Sequence, residues 1–333
     1  MINTKLRALR PLAMRGGMFS SLRTLAIAIG LLNACHSDAA GPAPPVASQY
    51  KIDIRFFGRS LTSSQQALFN NAAAKMARII VGNVPPVDAS NADPASCGAT
   101  GVPKLTETVQ GVIIYASIDS IDGPANILAE AGPCYIRTNN GQNDYRTSIG
   151  IIRLDSADIG RLTGAGSLQD VITHEMMHVV GFGSFWDSTA MNLLINYGPN
   201  VSYVGAGGIA GCKAIGGANT CANSVPVEGT RGAEGTINSH WRESTFGNEL
   251  MTGFINSGTN PLSVMSVRSL EDLHYTVNAA AADPYPDSHT IPTISLRADE
   301  MVGAPPASNW ERPPSHAPRA LPTVPGYQRS GGG

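Results

Sequence analysis

Two histidines four residues apart, with a glutamate directly after the first, stand inside the stretch V-I-T-H-E-M-M-H-V-V-G-F-G at residues 171–183. On a helix, positions i and i+4 project from one face, so His174 and His178 can offer ring nitrogens to the same metal ion. Glu175 lies one residue further round. From there its carboxylate can hold and deprotonate a water that the metal activates, which is the chemistry of metal-assisted hydrolysis. The bland alternative is a chance match on an ordinary helix.

A catalytic zinc site takes three protein ligands and keeps one position open. The short pattern H-E-x-x-H-x-x-G-x-x-H would put the third histidine at position 184, which is Ser184. The remaining ligand must therefore come from further along the chain. The candidates are His240, His274, His289 and His316, or Glu243 or Glu249 if the site follows a two-His-plus-Glu plan. Gly181 has no side chain and tolerates positive backbone angles, so the chain can leave the helix sharply and return a later residue to the metal.

These residues need a helix, and their neighbours predict one. Leu168, Val171, Ile172 and Val179 form an apolar stripe, Ser167 with Asp170 reads as a variant capping box, and Gly181 suits the C-terminus. Ahead of it, Tyr50 to Phe57 alternates apolar and charged residues as a half-buried strand does. Ser63 with Gln66 reads as a capping box for a long helix through Leu68, Phe69, Ala72, Met76, Ile79 and Ile80. Val112 to Ile118 is a buried strand, Ile127 to Cys134 turns back through Gly132-Pro133, and Ser148 to Leu154 is a further strand. Strands and helices mix ahead of the motif, which makes the fold class α+β or a three-layer architecture.

Residues 83–110 read as loop around Cys97, and residues 184–237, rich in Gly, Asn and Ser, as a long insertion. Ser269 to Val277 reads as a short helix or turn. The catalytic domain is placed at residues 50–302, and the Pro-rich tail at 303–333 is expected to be extended or disordered. With 23 basic and 25 acidic residues and no long block of either sign, nothing points to a nucleic-acid partner.

The first 35 residues read as an export signal. Lys5, Arg7, Arg10, Arg15 and Arg23 precede an apolar run from Leu25 to Ala34, too short to span a bilayer. Met14 or Met18 are alternative starts. Leu32-Asn33-Ala34-Cys35 resembles the lipobox of bacterial lipoproteins, which would make Cys35 a lipid anchor and residues 36–49 a flexible tether. Ordinary secretion with cleavage near Ala39 is the alternative. Four cysteines remain, and an even number in an exported chain points to disulfides. Cys97 with Cys134 and Cys212 with Cys221 is the favoured pairing, since the second closes a short Gly-rich loop. A thiolate zinc site is disfavoured, because no C-x-x-C spacing occurs.

The segments N-S-H-W-R-E at 238–243 and N-E-L-M-T-G at 248–253, together with H-E-M-M-H-V-V-G-F at 174–182, resemble the leishmanolysin family of metzincin peptidases. A softer match runs through Ser263 to Val277, and the likeness covers about residues 50–280. The resemblance implies a metzincin-like fold: a twisted mixed sheet with a backing helix and an active-site helix, and a zinc cleft between upper and lower subdomains. It implies His240 as third ligand, Gly181 as the motif glycine and Met251 as the turn methionine, with one Zn(II) per chain. Trp241 is expected to serve packing.

The reading that follows is an exported zinc endopeptidase, a cell-envelope lipoprotein held to the membrane through a lipid on Cys35 or a secreted protein. It would act on proteins or peptides as a monomer, with Glu175 as general base. The alternative is a catalytically silent zinc-containing binding or adhesion protein on the same fold.

Overall fold

Val112–Asp119 is apolar at nearly every position, and in a computed structural model of the chain it is the strand around which the main sheet assembles. The structure describes residues 50–124, 127–139, 142–232, 235–285, 311–312 and 318–324, all within the unit Pro45–Gly333. The expected signal, the Cys35 anchor and the tether lie outside the described residues, as do His36, His289 and His316.

The first elements are β1 (Ile52–Phe56), α1 (Ser63–Ile79), a two-residue pair β2 (Val87–Asp88) and β3 (Thr108–Val109), then β4 (Val112–Asp119), β5 (Ala129–Asn139) and β6 (Gln142–Asp155). In the sheet, β1, β4 and β6 run parallel in that spatial order, and β5 joins β6 antiparallel. Both faces are covered, which explains the apolar run. Val112, Ile114 and Ala116 of β4 enter the core shared with α1, while Ile113 and Tyr115 enter a second core on the opposite face.

Helix α1 begins one residue earlier than the pattern suggested. Its N-cap is Thr62, whose hydroxyl accepts from the Gln65 N–H while the Gln65 side chain accepts from the Thr62 N–H. The same chemistry was open to Ser63 and Gln66; the burial of Phe69, Ala72, Met76 and Ile79 against the sheet selects the register. The region read as loop around Cys97 carries β2 and β3, and Cys97 is bonded to Cys134 with their Cα atoms 5.8 Å apart.

Strand β5 departs from the expected turn at Gly132-Pro133. It runs through that dipeptide to Asn139, with irregular register at Pro133, Tyr135 and Ile136. Proline cannot donate to a ladder, and a bulge with shifted register is one way a strand accommodates it.

After β6 come α2 (Ile159–Ala165) and α3 (Leu168–Val179), and α3 lies across β5 and β6. The stretch after it is not featureless. It holds the antiparallel pieces β7 (Leu194–Ile195), β8 (Ser202–Tyr203) and β9 (Val225–Pro226), and α4 (Ala206–Ala214), whose Cys212 is bonded to Cys221. Trp186 and Tyr203 from this stretch sit in the main core. Two short helices follow, α5 (Glu243–Phe246) and α6 (Val264–Ser269).

Two short pieces of the Pro-rich tail are extended strands. β10 (Glu311–Arg312) and β11 (Arg319–Pro322) pair in parallel with the outer edge of β5. Leu321 supplies the reason, since it is buried in the second core beside Val87 and Tyr135. Among the described residues no helix is long and apolar enough to cross a membrane.

Candidate metal centre

Helix α3 is buried at every position from Val171 to Val179. Its entry differs from the expected capping box. Ser167 already has helical backbone angles, because the chain passes from α2 through Gly166 directly into α3, and its hydroxyl points to the Leu162 carbonyl. Asp170 accepts instead from the Asn260 amide, and burial raises its pKa.

The exit is a tight reversal. Gly181 has φ +106°, and Phe182 N–H donates to the Met177 carbonyl at 3.0 Å, six residues closing on one. A β-carbon on Gly181 would meet Phe185 Cδ2 at 2.5 Å. The reversal brings the Phe182 carbonyl to 2.8 Å from Nδ1 of His178, so the turn after the helix orients a histidine inside it.

The loop bearing His240 reaches α3 through a second close approach. Gly183, at φ +69°, lies against Ser239; a β-carbon there would sit 2.2 Å from the Ser239 carbonyl oxygen. The neighbour of His240 is held on two sides, since Trp241 bridges Val227 on one side and Thr252 on the other. The Trp241 ring is fully buried among Phe182, Trp186, Tyr203 and Phe246, and its Nε1 donates to Ser266 Oγ at 2.8 Å.

The three imidazoles converge. Nε2 of His178 is 2.8 Å from that of His174, and Nε2 of His240 is 3.1 Å from both. Each opposite nitrogen faces a backbone carbonyl: His174 Nδ1 meets Leu250 O at 2.7 Å, His178 meets Phe182 O at 2.8 Å, and His240 meets Thr236 O at 3.1 Å. A carbonyl can only accept, so each Nδ1 carries the proton and each Nε2 presents a lone pair. Three lone pairs directed at one point repel unless a cation lies between them. The set therefore fits a small metal ion with nitrogen ligands at about 2.0–2.1 Å, oriented by their outer hydrogen bonds. Among the described residues this is the group of three that can hold a metal.

Glu175 lies in α3 beside His174 and is fully buried. Met251 is fully buried too, in a turn where its N–H donates to Glu249 at 2.6 Å and its carbonyl accepts from Trp241 N–H at 3.0 Å.

Glu249, the alternative third ligand, is engaged elsewhere. One oxygen accepts from Ser263 N–H at 2.9 Å and from the hydroxyls of Ser263 and Ser266 at 2.7 and 2.6 Å, and the other from Met251 N–H. Burial raises its pKa against the pull of those donors. Glu243 accepts from Asn256 and is not part of the cluster, and burial pushes its carboxyl up to about 7. His274 is exposed and stands apart from it.

Sequence reading missed the carbonyls of Leu250, Phe182 and Thr236, because a backbone acceptor leaves no mark on residue type. Gly183 was legible in principle, as a second glycine two residues after the first.

The leishmanolysin family model matches residues 84–290 of the chain, more than half of its 333 residues. No curated protein matches it.

Proposed function

The chain belongs to the leishmanolysin family of peptidases, and from that premise we propose that it is an exported zinc endopeptidase with Glu175 as its general base. The observation that carries the reading is the convergence of three Nε2 atoms, each ring anchored at Nδ1 by a carbonyl, on a helix that also places Glu175. His174, His178 and His240 would hold one Zn(II). When bound, the ion supplies a Lewis acid that polarises the scissile carbonyl and makes a water acidic enough to attack near neutral pH.

The protein's own residues do the rest. The Glu175 carboxylate takes the proton of the attacking water and then delivers a proton to the leaving amine, so no covalent link to the chain forms. The carbonyls behind the imidazoles hold each ring in the tautomer that leaves Nε2 unprotonated. Met251 forms an apolar floor, and the aromatic cluster around Trp241 holds the loop of the third ligand.

Two disulfides fit an oxidising compartment outside the cytoplasm. We attach to this a lipid on Cys35, protein or peptide substrates, one zinc per chain and a monomeric state. The deciding experiment compares cleavage of an unfolded protein by the chain from residue 36 with that by Glu175→Ala, both matched for bound zinc. Cleavage by the parent alone is the expected result. Equal cleavage by both would overturn the assignment of Glu175, and zinc retention without cleavage by either would favour a binding role.

A further inference from the structure

Glu228 is fully buried, and none of the chemistry above uses it. Its backbone closes the loop that delivers His240: Glu228 N–H donates to the His240 carbonyl at 2.9 Å, and the Glu228 carbonyl accepts from Asn238 N–H at 2.9 Å. Its side chain then gathers both arms of that loop. Oε1 accepts from the successive N–H groups of Gly229, Thr230 and Arg231 at 3.1, 3.0 and 3.0 Å, and from the Thr230 hydroxyl at 3.1 Å. Oε2 accepts from Glu243 N–H at 3.3 Å, at the start of α5 and just beyond His240.

Three consecutive N–H groups turned toward one oxygen form a concave anion seat, and here the anion is a side chain at the base of the same loop. Every one of these partners donates. A carboxylate is acceptor-only and suits them all; an amide would turn an N–H₂ toward at least one N–H. The loop that Glu228 folds also contains Thr236, whose carbonyl orients the His240 ring. Misplacing Gly229 to Arg231 or Thr236 therefore shifts both the backbone of the third ligand and the acceptor that sets its ring.

We propose that Glu228 is a positioning residue for the metal centre, folding the 228–243 loop so that His240 meets His174 and His178. The proposal rests on the metal reading given above. Its test reads metal binding, without any peptidase assay. Outer-shell partners of metal ligands are worth about 10–100-fold in affinity, so Glu228→Gln should weaken Zn(II) binding by roughly that factor in a chelator competition on the full-length chain.

The control is Asp155→Asn. Asp155 is a buried carboxylate of the same kind, accepting from the N–H groups of Asp122, Gly123 and Ala157 at 3.0, 2.9 and 2.8 Å at the end of β6. It should lose stability yet keep the parent's zinc affinity within about twofold, since its partners belong to no ligand loop. Cobalt(II) loading gives a second readout: the visible bands of a four-coordinate ion should persist in Asp155→Asn and weaken or shift in Glu228→Gln.

If Glu228→Gln does not fold, Glu228→Asp keeps the charge and shortens the reach by one methylene, and an intermediate loss of affinity is expected. Parent-like zinc affinity and cobalt bands in a folded Glu228→Gln, or in Glu228→Asp if that variant replaces it, would overturn the proposal. A parent chain that binds no zinc would defeat the metal reading itself, and this proposal with it.

Discussion

The carbonyl of Leu250 lies 2.7 Å from Nδ1 of His174, a residue 76 positions earlier in the chain. The turn that buries Met251 therefore also sets the tautomer of the first histidine of the helix. Glu249 holds that turn from below through Met251 N–H, Ser263 and Ser266, and Ser266 accepts from the Trp241 ring next to His240. One buried carboxylate thus ties the Met251 turn to the neighbour of His240.

Met251→Leu and Met251→Ala separate packing from any special role of the sulfur. Truncating a fully buried methionine costs about 2–5 kcal/mol, whereas a volume-conserving change to leucine costs under about 1.5 kcal/mol. Leu should therefore keep the parent's zinc affinity and Ala should lose stability measurably in urea titrations. A large loss of zinc in Met251→Leu would show that the thioether does more than fill space.

Gly183→Ala should damage the centre although it touches no ligand. The left-handed backbone alone costs a non-glycine residue about 1–2 kcal/mol. The added β-carbon would also meet the Ser239 carbonyl oxygen at 2.2 Å and push the His240 loop away from α3. Lower thermal stability with weakened zinc binding is expected; parent-like behaviour in both measurements would refute this view of the contact.

Glu243 makes stability depend on pH. Burial raises its carboxyl from an ordinary 4.5 to about 7, so the folded chain binds this proton more tightly than the unfolded chain does. Its contribution is complete below about pH 4.5 and declines as pH rises to 7, by about 3 kcal/mol at most. Glu243→Gln should remove that slope, so the parent loses stability relative to the variant between pH 5 and about 8 in urea midpoints. Parallel pH profiles would show that the carboxyl titrates normally.

Leu321 tests the tail. Its burial in the second core, with Thr323 N–H donating to the Thr138 carbonyl at 3.1 Å, holds β11 on the edge of β5. Leu321→Ala should cost about 2 kcal/mol and speed amide exchange at Thr323 and Val324. Ending the chain before Arg319 uncovers a sheet edge, and exposed edges favour aggregation. Unchanged exchange at both amides in Leu321→Ala would mean that the strand is held by other contacts.

How much of this was legible in one dimension follows from how each feature is encoded. His174, Glu175 and His178 could be read because helical periodicity converts a four-residue spacing into a shared face. Gly181 could be read because only glycine suits the angle the chain adopts there. Strand β4 and the apolar face of α1 were likewise written as hydrophobic period. Pairing Cys212 with Cys221 needed only their closeness in sequence, and the structure joins the same two residues.

Only the tertiary structure decided the rest. Residue type alone left His240, His274 and Glu249 as equal candidates, and beside the resemblance that implied His240 the fold separates them, since His240 reaches the cluster, His274 is exposed and Glu249 is consumed by its own turn. The carbonyls that orient the rings belong to Leu250, Phe182 and Thr236, residues whose side chains say nothing about the task. The register of α1, the continuation of β5 past Pro133 and the docking of Leu321 turn on which alternative buries more apolar surface. That quantity belongs to the assembled fold and to no stretch of the chain by itself.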